Sequence, residues 1–268
     1  MRRAALVLLG AAMLLSAGCS GGGGSDDPQP RAAEGAAASA AYEKTVRDAV
    51  TAVSRSSARL DGKIVMDGRG EVHSLAVSGR FDLARDTGRL AVDLPGGAVG
   101  HVDEVFADGK VYLRGMPGTA GGWAAIDRYD AESHFLLRAP VNDPEHLIRQ
   151  VAAMRYVSKA GEEKVGGVTA VHYRGALDYS TITLRMSKET RTKVEQMRDS
   201  LGGTLPVHAD AWIDGQRHLV RARLSFSDAG IEVTNTLSLS DPGTSVKAAA
   251  PAPGSVVRAS AVSGVLLG

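Results

Sequence analysis

The residues that could do chemistry are few and scattered. The seven histidines, at positions 73, 101, 134, 146, 172, 208 and 218, include no pair at the spacing of a helical zinc site. His208 and Asp210 lie two apart on an expected strand, so they share a face and could hold a metal; the preferred reading is a pair on a solvated strand face. Glu162 and Glu163 are adjacent and point to opposite faces, which makes them poor partners for acid/base work. No Gly-x-Ser-x-Gly elbow occurs. Gly118, Gly121 and Gly122 lack the strand before and the helix after that a phosphate loop needs, and read as a hairpin loop. Arg217, His218, Arg221 and Arg223 form the nearest thing to a basic patch, suited either to an anionic headgroup or, more simply, to solvent. Met154, Met186 and Met197 are candidates for flexible apolar lining or plain core. No catalytic residue, metal site or cofactor is expected.

Composition excludes further classes. In 268 residues, 31 Lys and Arg stand against 30 Asp and Glu. Nucleic-acid binders carry a basic excess to neutralise phosphates, so none is expected as a partner. The single cysteine, Cys19, rules out an internal disulfide and a thiolate zinc cluster.

Cys19 is informative through its neighbours. Arg2 and Arg3 precede an apolar run over residues 4–15, and Ser16, Ala17 and Gly18 come immediately before the cysteine. A charged start, a short apolar stretch and small residues at the cut are the anatomy of a secretory signal. The run is shorter than the roughly 20 apolar residues a membrane span needs. The ending resembles the lipobox of bacterial lipoproteins, with Ser16 where Leu is commonest. The resemblance implies cleavage before Cys19, acylation of its sulfur, and anchoring at the extracytoplasmic face of the cell membrane. Removal of Arg2 and Arg3 leaves a slightly acidic chain.

The elements that would position a site fall into four segments. Residues 1–18 are the signal, and residues 19–41, rich in Gly, Ser, Pro and Ala, are expected to be a flexible tether. Residues 42–248 form the folded domain, and residues 249–268 a loosely held tail. Within the domain, Val46, Ala49, Val50 and Val53 have helical spacing. Short alternating runs with tight turns then predict strands over 63–67, 72–83, 89–94, 101–107, 110–114 and 123–126. Asp143 and Pro144 start a second helix, strands return at 156–164 and 168–178, and a third helix spans 187–201. Three strands, 207–214, 217–227 and 231–239, close the domain. The fold class is α+β: a strongly curved antiparallel half-barrel sheet of about eleven strands, covered on its concave face by helices.

This order, with Gly167 to Gly175, Asp178, Ala211-Trp212-Ile213-Asp214-Gly215 and Arg221, resembles the actinobacterial LppX/LprG-type lipoproteins, which share the LolA/LolB fold. The resemblance implies an apolar cavity between sheet and helices that takes acyl chains of a lipid or glycolipid, and a role in carrying or presenting them in the envelope. It carries no ligand motif, so the cavity lining is assigned by alternation to Leu75, Val77, Phe81, Leu90, Val92, Leu113, Val171, Tyr173, Val220, Leu224 and Phe226. The same residues would also build a solid core. A sensor or interaction module that binds an envelope protein is the alternative, and in either case the chain is expected to be a monomer and not an enzyme.

Overall fold

The computed structural model describes residues 29–258 apart from residues 69, 97 and 98, with side chains from residue 34 onward. Cys19 and the expected signal lie outside the described residues. Helix α1 (Gln29–Val53) leads into a six-stranded meander, β1 (Ser57–Gly68), β2 (Glu71–Asp82), β3 (Thr87–Asp93), β4 (His101–Ala107), β5 (Lys110–Arg114) and β6 (Trp123–Asp127). Helix α2 (Pro144–Ala152) precedes β7 (Arg155–Val165) and β8 (Val168–Ala176). The short α3 (Tyr179–Ile182) and α4 (Lys188–Ser200) come next, then β9 (Val207–Asp214), β10 (Leu219–Asp228), β11 (Ile231–Ser240) and the short β12 (Val256–Arg258).

All twelve strands belong to one curved, unclosed sheet in the order β12-β6-β5-β4-β3-β2-β1-β11-β10-β9-β8-β7. Every pairing is antiparallel except β12 on β6. Helices α1 and α2 pack on one face across β9 and β10, and α1 also lies along β7. Alternation explains which face they cover: Leu60, Val77, Leu90, Leu224 and Phe226 of the sheet are buried in one cluster with Val46 and Val50 of α1 and Ile148 and Val151 of α2. The capping chemistry is local. Asp143 accepts a hydrogen bond from the Glu145 amide ahead of Pro144, and the Ser187 hydroxyl accepts from the Thr190 amide at the start of α4.

Three boundaries differ from expectation, each for a physical reason. The helix expected from residue 42 begins at Gln29, inside the segment expected as a flexible tether. Seven alanines between residues 32 and 41 propagate a helix already nucleated by its docked half. The strand expected over 63–67 spans Ser57–Gly68, since β1 is paired to β2 along its whole length and to β11 from Arg59 onward. Finally, part of the tail expected to be loose is fixed: Val256, Val257 and Arg258 pair with Trp123, Ala124 and Ala125. On the way there, the Thr244 carbonyl accepts from Ser57 and the Lys247 carbonyl from Arg89. Ala248, Ala250 and Val256 then cover Val105, Ala107 and Tyr112, forming a strap over the outer face of the first meander.

Gly88 shows how tightly the inner face is registered. It pairs with Phe81 on one side and Phe106 on the other, and the two rings meet edge-on above it with centroids 5.1 Å apart. A Cβ at Gly88 would sit 2.3 Å from the Phe81 ring. Gly88→Ala should therefore cost about 1–3 kcal/mol through forced repacking, read as a fall in the urea unfolding midpoint. Gly100→Ala, where a Cβ meets nothing within 4 Å, should leave the midpoint unchanged.

Candidate functional site

The residues expected to line a cavity divide into three groups. Leu75, Val77, Phe81, Leu90, Val92, Leu113, Leu224 and Phe226 are buried together in the main cluster. Val171 and Tyr173 are half-buried on the same face of β8, opposite Ile213 and Ala211, and the Tyr173 ring lies 5.6 Å from Tyr42 of α1. Val220 differs. A bulge between Leu219 and Arg221 shifts the register of β10 against β9, so Leu219 and Ala222 point inward and Val220 packs with Val165, Ala170 and Trp212 on the outer face. Strict alternation from Phe226 back to Val220 crosses that bulge unseen. Between sheet and helices, a space of about 30 Å³ bordered by Val77, Leu90, Leu147 and Asn235 is the room one water would occupy.

The larger opening lies at one end of the sheet. A groove of about 650 Å³ is formed where the end of α1 meets the start of β1, the β7–β8 and β9–β10 turns and the end of β11. This is within the range of small-molecule pockets. Ala52, Val53, Ala58, Leu219, Val220 and Leu239 supply apolar surface, and Asp61, Asp214, His218, Arg221 and Asp241 supply polar groups. The β9–β10 turn is held by the Asp214 carboxylate, which accepts from the Gln216 and His218 amides and lies 3.3 Å from His218 Nδ1. The arrangement suits a molecule with an apolar body and a polar end.

Beside the core lies a polar network that sequence reading missed. Arg128 is buried and bonded to both oxygens of Asp143 and to Glu145, with Asp86 2.8 Å from its remaining nitrogen. Burial opposes the Arg128 charge, but the bonds to Asp143 and Asp86 outweigh it and raise its pKa. Arg185 adds bonds to Asp143 and to the carbonyls of Arg128 and Ala131. Further in, Glu104 is wholly buried on the inner face of β4; Asn142 donates to one of its oxygens at 2.8 Å and the other has no partner. Burial pushes the Glu104 carboxyl up to about 8, against the pull of Asn142 and Arg138. Burial likewise draws Arg138 down to about 10. The backbone above it is unusual, since Leu137, Val141 and Asn142 all have positive φ, at 62°, 43° and 51°. A Glu in a run reading Val-Asp-Glu-Val-Phe gives no hint of burial, because its partners come from residues 138 and 142.

The outer face resolves the remaining candidates. Asp210 is fully buried, with His172 Nε2 at 2.6 Å, Arg174 Nε at 2.8 Å and Arg223 Nε at 3.1 Å. Burial would raise its pKa, but bonds from Arg174 and His172 hold it below the ordinary range. It is thus committed to cations and is not paired with His208. Among the described residues no cluster of three His, Cys, Asp or Glu could hold a metal ion. Trp212 is stacked on His172 at 4.3 Å, and Arg221 and Arg223 lie over its ring. The expected basic patch is therefore split: two arginines cover the tryptophan, Arg217 sits in the β9–β10 turn, and His218 joins the groove. Met154 and Met186 are core, and Met197 packs half-buried against it.

No family model matches the chain. It is 26% identical over 221 residues to an uncharacterized 31.2 kDa protein of the rplA-rplJ intergenic region of Streptomyces griseus, covering 73% of this chain and 72% of that one. Among solved structures it is similar to LprF from Mycobacterium bovis, at 15% identity and a TM-score of 0.49 over 80% of this chain and 98% of that one. It is also similar to the lipoprotein LppX of Mycobacterium tuberculosis, at 14% identity and a TM-score of 0.47, covering 78% and 97%.

The Glu104 site yields a pH dependence. The unfolded chain releases this proton near the ordinary carboxyl value of 4.5 and the folded chain only near 8. The unfolded state therefore binds fewer protons between those values, and stability falls as pH rises through the window. Glu104→Gln removes that term. Relative to wild type, the variant should gain about 1–3 kcal/mol between pH 5 and pH 8, measured by urea unfolding at the two pH values.

Proposed function

We propose that the chain is an extracytoplasmic, membrane-anchored protein that binds the acyl chain of a lipid or glycolipid and carries or presents it in the cell envelope, without catalysing a reaction. Residues 1–18 serve as the leader and the acylated Cys19 as the anchor; a second chain on that residue makes the attachment stable. Among the described residues no helix is long and apolar enough to cross a membrane.

The observation that carries the reading is the end groove. Its apolar surface comes from α1, β1, β10 and β11, elements whose inner faces continue into the main core. Ala58, Leu219 and Leu239 belong to both, so a chain lying in the groove meets the end of that core. The polar groups at the rim leave a headgroup in water. Burying one methylene contributes about 0.8 kcal/mol, so a segment of six or seven methylenes supplies about 5 kcal/mol before the cost of ordering it.

Lipid extraction and native mass spectrometry of the unacylated domain purified from its own envelope should recover an acyl-bearing ligand. A fluorescent fatty-acid probe should bind, and Ala52→Trp should weaken it about tenfold by filling the groove from an exposed helix position, with the unfolding midpoint unchanged. Recovery of one stoichiometric envelope protein with no lipid, together with unchanged probe binding in the variant, would overturn the proposal in favour of an interaction module.

A further inference from the structure

The two halves of α1 have different surroundings. From Tyr42 onward the helix is docked: Tyr42 meets Tyr173, Glu43 accepts from the Tyr156 amide, and Val46, Ala49 and Val50 are buried. Before Tyr42 the helix leaves the body, and residues 34–38, 40 and 41 are exposed. That leading half, residues 29–41, is about 20 Å long at 1.5 Å per residue. At the other end of the same helix, Ala52 and Val53 line the groove. The groove and the chain leading back to Cys19 therefore lie at opposite ends of a helix about 37 Å long.

The leading half is also ill suited to lying on a bilayer. Helices that rest in the interface present large apolar residues beneath a basic face. Residues 29–41 contain neither a leucine, isoleucine, phenylalanine or tryptophan nor a lysine, and their charged residues are Arg31 and Glu34. Only residues 20–28 separate Cys19 from the helix, a reach of at most about 32 Å.

We infer that α1 is a stalk, which stands the domain off the bilayer holding Cys19 and turns the groove away from it. The inference rests on the reading of Cys19 as the anchor and of the groove as the ligand site. Its consequence is directional: the groove exchanges its amphiphile across the aqueous layer, and the anchoring bilayer neither loads nor empties it directly.

The test uses the chain from Cys19 onward, coupled through that cysteine to a maleimide lipid in vesicles, so that placement does not depend on enzymatic acylation. A bio-orthogonal donor fluorophore is placed at position 40 or at position 216, beside the groove, with an acceptor lipid in the membrane. Transfer should be several-fold more efficient from position 40 than from position 216. The double substitution Ala37→Gly with Ala38→Gly weakens the stalk and should bring the two efficiencies within about twofold. A fluorescent fatty acid supplied in the anchoring vesicles should load the tethered protein no faster than the untethered protein at equal vesicle concentration. Equal transfer from the two positions in the unsubstituted chain, or faster loading on tethering, would overturn the stalk. Probe binding measured separately in solution distinguishes this from failure of the groove itself: loss of binding with unequal distances would sink the ligand reading and leave the stalk standing.

Discussion

The pairing of β1 with β11 holds the molecule together as one body. It joins ten residue pairs, from Arg59 with Ser240 to Gly68 with Ile231, across the junction of two otherwise local meanders. Without it the sheet separates into β1 to β6, paired to their sequence neighbours and carrying β12 on β6, and β7 to β11, equally local. Such long-range pairing is entropically costly to close, and β1 meets that cost by being paired to β2 over twelve residues and to β11 over ten. The concave face exists only when both meanders share a spine, since the buried cluster beneath the helices draws its side chains from both.

That spine also determines where polarity is tolerated. Asp210 is buried on the outer face of the second meander, with two arginines and a histidine converging on it. The first meander buries a different problem, Glu104 on its inner face, where one oxygen lacks a partner. A neutral carboxyl costs far less to bury than an ion, which is why its proton is retained to about pH 8. The segment above it, with Leu137, Val141 and Asn142 in left-handed backbone, follows a path its residues do not favour locally. Burial of residues 137–143, with Asn235 donating to the Leu137 carbonyl and Asn142 to Glu104, holds it there.

Much of this was legible in the residues. The meanders, the Asp143-Pro144 start of α2 and the span of α4 follow from local chemistry, and so does the burial of Leu75, Val77, Phe81, Leu90 and Leu224 by alternation. What escaped reading was non-local or exceptional. The bulge at Val220 breaks a pattern of period two by one residue. The groove draws its lining from five chain segments, none of which carries a motif. Alanine in residues 32–41 reads as too small to build a core, which is correct, but a helix extended from a docked half needs no core of its own.

The strap formed by residues 244–258 has a kinetic consequence. It rests on β4, β5 and β6, which are completed early in the chain, yet its own residues follow β11 and are among the last of the described chain to be made. It adds no side chain to the main inner cluster, so the sheet it covers needs none of its contacts to close. Contacts made after the rate-limiting step slow unfolding without speeding folding. A strap that docks in this late way would lengthen the lifetime of the folded sheet, acting on the rate at which the first meander opens and not on the rate at which it forms.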